Sequence, residues 1–256
     1  MSESVTVIID GDIATLTFAN PPLNFATIRL IKLIADNLEE IDNNSHIRVV
    51  VLKSAGDIFC AGADLQSENG FGAESNDPLR ELYDQALRIY AAKKPIVAQV
   101  RGAAIGAGLG LALTADFRIA TPKARFSANF AKLGFHPGFG LTYTVPKLVG
   151  EQRAAEIFLT AERYKPDLLQ QWGMVDIVAT EDSIDDETNG FAQKIASNAP
   201  LSLLSTRETL RIGMLERVTQ SIHREHSVQI ELFKTEDFNE GVRSVNERRS
   251  GYFTGQ

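Results

Sequence analysis

RGAAIGAGLGLALTAD, residues 101–116, reads as a strand-to-helix junction made almost without side chains. The stretch before it, PIVAQV at 95–100, is apolar with β-branched residues and reads as a short strand. After Gly106 the run is apolar on every face and reads as a buried helix. Gly102, Gly106, Gly108 and Gly110 lift the restriction that a β-carbon places on the backbone, so a ligand at this loop touches main chain. The first N–H groups of a helix have no acceptor of their own, and the helix dipole adds partial positive charge there. The junction is therefore a candidate site for negative charge.

A second small-residue turn, FCAGADL at 59–65, follows the apolar strand IRVVVL at 47–52 and a SAGD turn at 54–57. Two such turns in one chain are candidates to converge two main-chain N–H groups on one oxygen, the arrangement that stabilises an enolate or a tetrahedral oxyanion of an acyl compound.

With NPPLN at 20–24, FCAGADL, GAAIGAGLGLALTAD at 102–116 and NERR at 246–249 in this order, the chain resembles the crotonase (enoyl-CoA hydratase/isomerase) superfamily over nearly its whole length. The resemblance implies an α/β fold, a spiral of strand-strand-helix repeats that binds acyl-CoA over residues 1–199. A C-terminal helical region, 200–256, would then build a homotrimer or a dimer of trimers. It implies that the Ala63 and Ala107 amides hold the carbonyl oxygen of a CoA thioester. Around the substrate it places Ala61, Gly62, Asp64, Leu65, Gly106, Gly108, Gly110, Asn129, Phe130 and Tyr143, with Asp64 fixing its turn rather than moving a proton. Coenzyme A arrives as part of the substrate, so no separate cofactor is expected.

Hydratases of that superfamily use two glutamates, and matched residue by residue those places fall on Gly110 and Phe130. Neither transfers a proton. Between residues 92 and 150 the only acidic residue is Asp116, at the end of the glycine-rich helix. Ordinary two-carboxylate hydration is thus not expected. The acid-base candidates that remain are His136, whose intrinsic pKa lies near neutrality, and Glu68, Glu74, Asp77, Glu81 and Asp84 in or after the polar loop at 66–77. Isomerisation, decarboxylation or thioester hydrolysis fits such a site, and so does a non-catalytic acyl-CoA binding or assembly subunit.

Plainer readings stand beside these. The glycines of 102–110 also suit close helix-sheet packing, and a dinucleotide site is a further alternative, although Leu111 takes the third glycine's place in GxGxxG. Phe130, Phe135 and Phe139 suit either an acyl pocket or core. Cys60 reads as a small buried residue, and His223, Glu225 and His226 as a solvated helix face rather than a metal site. Arg248 and Arg249 read as surface charges or as contacts to CoA phosphates.

At 256 residues and 44% apolar, the chain is long enough for a real core. Its 33 acidic against 26 basic residues give a net charge of −7, which disfavours nucleic acid or an anionic membrane as the main partner. The lone Cys60 excludes an intrachain disulfide, and the start MSESVTVIID lacks a secretory pattern, so a cytoplasmic protein is expected. The longest apolar run, 103–115, falls short of the ~20 residues that span a bilayer.

By pattern, residues 5–9 and 13–18 form a hairpin, 27–42 and 78–92 form helices, and 117–120 and 124–127 form strands. Residues 135–140 form a turn, and helices dominate from 151 onward with one strand at 175–179.

Overall fold

The computed structural model describes residues 3–64 and 76–256. Alternating β-branched residues produce an antiparallel hairpin of β1 (Ser4–Asp10) and β2 (Ile13–Ala19). α1 (Ile28–Asp42) begins where the Thr27 side chain accepts the Leu30 N–H, and its helical period buries Ile31, Ile34, Leu38 and Ile41. β3 (Val49–Ser54) follows, and then α2 (Pro78–Tyr90), which Asp77 caps and Pro78 opens. The middle of the chain forms β4 (Ile96–Val100), β5 (Ala103–Ile105), α3 (Ala107–Thr114), β6 (Phe117–Ala120) and β7 (Arg125–Ser127). Beyond it lie α4 (Leu141–Val149), α5 (Glu151–Thr160), α6 (Pro166–Gln171), β8 (Ile177–Val178) and α7 (Ile184–Ala196). The chain ends in α8 (Pro200–Leu210), α9 (Met214–Leu232) and α10 (Glu236–Asn246).

The main sheet has the order β1-β2-β3-β4-β6-β8 and is parallel from β2 onward. Helices cover both of its faces, which is why β3 is apolar at four consecutive positions. Val50 and Leu52 join the larger core with α1, α2 and α3, while Val49 and Val51 pack with Ile184, Ala192 and Ala196 of α7. Each such fully buried valine or leucine stabilises the fold by ~1.5–3 kcal/mol.

Besides shifts of a residue or two at element ends, the sequence reading and the structure differ at two strands. Residues 103–105, expected as loop, form β5, which pairs in parallel with β7 in a second sheet. Cys60 bridges to Ala104 on its other side. This segment lies in the interior, where unpaired main-chain groups are costly, so it takes strand partners on both sides. The strand expected at 175–179 shortens to Ile177–Val178, which pairs with Ile119 and Ala120 of β6. The C-terminal helices lie on the same body: α9 packs on α2 and α4, and α10 on the 3-10 turn Ala131–Leu133.

Candidate active site

The two small-residue turns meet at one cavity. Cys60 is stitched to β5 through its N–H to the Ala103 carbonyl (2.8 Å) and its carbonyl to the Ile105 N–H (3.0 Å). From there the chain turns at Gly62, whose φ of +109° puts a β-carbon 3.2 Å from the Ile105 carbonyl oxygen. The NPPLN motif holds this turn from behind. Asn24 Nδ2 donates to the carbonyls of Ala55 (2.9 Å) and Ile58 (2.7 Å), while the Ala61 N–H reaches Leu23 O (3.1 Å) and the Ala26 N–H reaches Gly62 O (2.8 Å).

Gly106, at φ +53°, opens the second turn and caps α3 with no side-chain hydrogen bond. The first intrahelical bond runs from the Gly110 N–H to Gly106 O at 3.0 Å, so the amides of Ala107, Gly108 and Leu109 lack a helical acceptor. Gly108 lets the helix approach the first turn: a β-carbon there would lie 2.2 Å from the Cys60 carbonyl oxygen. Ala61, Gly62 and Ala63 line the cavity on one side, and Gly106 and Ala107 line it on the other.

The remaining wall is hydrocarbon with three polar side chains. Leu79 and Leu82 of α2, Phe130, Phe135, Phe139 and Phe233 supply the apolar surface, with Phe135 packed against Phe130 and Phe233 at ring separations of 5.2 Å. Asn129, Tyr83 and Gln229 supply the polar groups. Among the described residues no Asp, Glu, His, Lys or Arg side chain lines the cavity.

The turn at 136–140 is clamped by buried groups from two helices. Gln229 Nε2 of α9 donates to His136 O (2.6 Å), and Tyr83 Oη of α2 donates to Gln229 Oε1 (2.6 Å). Tyr90 Oη donates to Phe139 O (3.1 Å). Glu225, with no exposed surface, accepts from the Gly140 N–H (2.7 Å), the Thr142 N–H (2.9 Å) and the Thr142 hydroxyl (2.6 Å) at the start of α4. Burial pushes the Glu225 carboxyl above its usual value, and those donors pull against it. Together they hold Phe139 at φ +63°, a left-handed conformation that costs a non-glycine residue ~1–2 kcal/mol. The Phe139 ring, 1% exposed, fills the space beside Gly110.

Among the described residues, the expected acid-base groups do not line the cavity. His136 faces the clamp with its carbonyl, and its ring Nδ1 lies 2.7 Å from Pro137 O, outside the cavity lining. Tyr143 lies under Lys147, 5.8 Å from its ammonium nitrogen to the ring centre, also outside the lining. Asp64 is half-buried next to the first turn without lining the cavity. Asp77 caps α2 and meets His226 Nε2 at 3.0 Å, and Asp84 pairs with Arg80 at 3.0 Å. Leu65, Glu68 and Glu74 lie outside the described residues. Asp116 takes Arg207 and Arg211, at 2.9 Å each, away from the site. Arg249 pairs with Glu240 and Glu247.

Cys60 is fully buried, and its thiol is pushed up to about 12 by desolvation. The solvated-face reading of α9 needs correction: Glu225 and Gln229 point inward and only His223 of the named group is exposed. Among the described residues no group of three or more His, Cys, Asp or Glu is placed to hold a metal, and no helix is long and apolar enough to cross a membrane.

Residues 9–256 match the family model described as enoyl-CoA hydratase/isomerase. The short-chain-enoyl-CoA hydratase of Clostridium acetobutylicum is 30% identical over 243 residues, covering 94% of this chain and 93% of the relative. The 1,2-epoxyphenylacetyl-CoA isomerase of Escherichia coli is 28% identical over 262 residues, covering 100% of both. A crystal structure of an enoyl-CoA hydratase/isomerase from Pseudoalteromonas atlantica superposes with a TM-score of 0.88 at 30% identity, covering 98% of this chain and 100% of the other.

Proposed function

The chain belongs to the enoyl-CoA hydratase/isomerase family, and from that premise we propose that it binds an acyl-CoA thioester with the carbonyl oxygen between the Ala63 and Ala107 N–H groups. The enolate-like anion that develops on that oxygen is stabilised by both donors, each worth ~3 kcal/mol in such a site. The observation that carries this reading is the meeting of the Gly62 turn and the uncapped start of α3 at one apolar cavity.

The chemistry departs from two-carboxylate hydration. Gly110 and Phe130 hold the places of the hydratase glutamates, and no carboxylate among the described residues lines the cavity. Double-bond isomerisation, decarboxylation and thioester hydrolysis share the anion and differ in what they ask of side chains. Decarboxylation asks least, because loss of carbon dioxide leaves its electron pair on the α-carbon as the enolate. The apolar lining equally favours a second reading, a non-catalytic acyl-CoA binding subunit.

The test is calorimetric binding of butyryl-CoA together with loss of the enoyl-thioester absorbance of crotonyl-CoA. Thioester binding with negligible hydration is expected. Rapid hydration would refute the account of the missing carboxylates, and no binding would refute the acyl-CoA reading. Binding without turnover in hydration, isomerisation, decarboxylation and hydrolysis assays selects the non-catalytic subunit.

The same reading includes assembly into a trimer or dimer of trimers through residues 200–256, and a cytoplasmic location. Leu201, Leu210 and Ile212, 81%, 74% and 78% exposed on this isolated chain, support the assembly. Light scattering of the purified protein tests it.

A further inference from the structure

A second cavity, of about 580 Å³, lies where the C-terminal end of α2, the end of α8 and the start of α9 meet, and it shares no lining residue with the cavity described above. Its volume falls in the range of small-molecule sites. Tyr90, Leu204, Met214 and Leu215 give it hydrocarbon walls. Lys93, Arg207 and Arg211 set three cations into those walls, against the single carboxylate of Glu208.

Part of this charge is engaged within the fold. Asp116 accepts from Arg207 Nε and Arg211 Nη1, both at 2.9 Å, so two guanidinium groups share one carboxylate. Arg207 Nη1 donates to Ala92 O (2.7 Å) and Arg211 Nη2 to Tyr90 O (3.1 Å), which satisfies carbonyls at the end of α2. Three donors are left over among the described residues. Arg207 is 8% exposed, and its Nη2 has no hydrogen-bond partner. The 19-residue α9 starts at Gly213 without a side-chain cap, and its first intrahelical bond runs from the Arg217 N–H to Gly213 O, so the Leu215 N–H has no helical acceptor. The exposed Lys93 ammonium pairs with no described carboxylate.

Spare donors of positive character beside hydrocarbon match an anion that carries an apolar body. We propose that the cavity between α2, α8 and α9 is a second ligand site, which binds an amphipathic carboxylate. Its head is held by Lys93, Arg207 and the start of α9, where the helix dipole adds to the attraction, and its chain lies along Leu204 and Leu215. Hydrogen bonds from such cations to a carboxylate are roughly twice as strong as neutral ones, so the head decides the affinity. A bare anion leaves the hydrocarbon walls unmatched, and an uncharged chain leaves the donors unmatched. Ile212 at the lip belongs also to the face proposed above for assembly, so the site is tested on the protein as it assembles in solution.

The experiment is calorimetric titration of the full chain with octanoate, 1-octanol and inorganic phosphate, without and with saturating butyryl-CoA. Octanoate should bind about tenfold or more tightly than either of the others, and butyryl-CoA should not displace it. Leu215→Glu puts a carboxylate into the cavity at the first turn of α9, where the helix dipole favours it and the fold is kept. Octanoate affinity should fall about tenfold or more in this variant and in Lys93→Met, while butyryl-CoA affinity stays unchanged. Equal affinity for octanoate and octanol, octanoate binding that survives in both variants, or displacement by butyryl-CoA overturns the assignment. No octanoate binding together with loss of assembly in Leu215→Glu, read by light scattering, gives the cavity to a second copy of the chain and overturns it as well. The outcome does not depend on the acyl-CoA reading, which falls or stands on butyryl-CoA binding alone.

Discussion

The ring of Phe139 occupies the space that any side chain at position 110 would need: a β-carbon built on Gly110 lies 2.5 Å from Phe139 Cδ1. The glycine and the phenylalanine are one steric unit, so neither is changed alone without consequence. A glutamate at 110 would require a different residue at 139.

Gly110→Ala should therefore destabilise the protein by ~1–3 kcal/mol, as overpacking of a filled core does. Phe139→Ala should cost ~3–5 kcal/mol through the cavity it leaves. In the Phe139→Ala background the added methyl at 110 should cost little. Chemical denaturation of the two single variants and the double variant measures the coupling, and strict additivity would show that the two positions do not share space.

Gly108→Ala tests the join between the two turns, because its β-carbon would press on the Cys60 carbonyl at 2.2 Å. Moving α3 away from the first turn separates the Ala63 and Ala107 amides, and butyryl-CoA affinity should fall about tenfold or more. Gly190→Ala in α7 is the control: nothing lies within 4 Å of that β-carbon, and a mid-helix glycine costs ~1 kcal/mol relative to alanine. It should raise the melting temperature and leave binding alone.

Glu225 gives the protein a pH-dependent contribution to stability. Its folded pKa lies above the unfolded value of 4.5, so the folded chain holds the proton more tightly. That contribution is complete below 4.5 and is lost as the pH rises through the folded pKa. Glu225→Gln has no proton to lose, and its amide leaves a donor facing a donor, a cost of ~1–3 kcal/mol. The gap in melting temperature between the original protein and the variant should be widest below pH 4.5 and narrow as the pH rises above it. A gap that is constant or widens with pH contradicts the assignment.

Cys60 should resist alkylation in the native state, since its thiol is fully buried and pushed up to about 12. Iodoacetamide near pH 8 should label it only after denaturation. Rapid native labelling would show that the segment joining it to β5 opens readily.

The sheet and most helices were legible because their residues repeat with a clear period. The hairpin, α1 and the buried α3 follow from alternation, from the helical spacing of Ile31, Ile34, Leu38 and Ile41, and from the unbroken apolar run. Both small-residue turns that meet at the cavity were legible from glycines at strand ends. The polar wall was hidden for a physical reason. Tyr83 lies in the same stripe as Leu79, Leu82 and Ala86, where an aromatic reads as core. Glu225 and Gln229 continue the buried stripe of Met214, Val218 and Ile222, but periodicity assigns polar residues to the outer face. His136 illustrates a further limit. Its place in the turn was foreseen, yet whether ring or carbonyl faces the clamp depends on partners more than ninety positions away.

The cavity draws its walls from both halves of the chain: Ala61 and Gly106 open it, and Gln229 and Phe233 near the C-terminus close it. A nascent polypeptide still emerging from the ribosome thus possesses both glycine turns long before it possesses a pocket. A ligand of this cavity cannot act as a folding template during synthesis, and its stabilising mass action reaches only the finished product. A premature stop ahead of α9 leaves both glycine turns intact and removes Gln229 and Phe233 from the cavity wall.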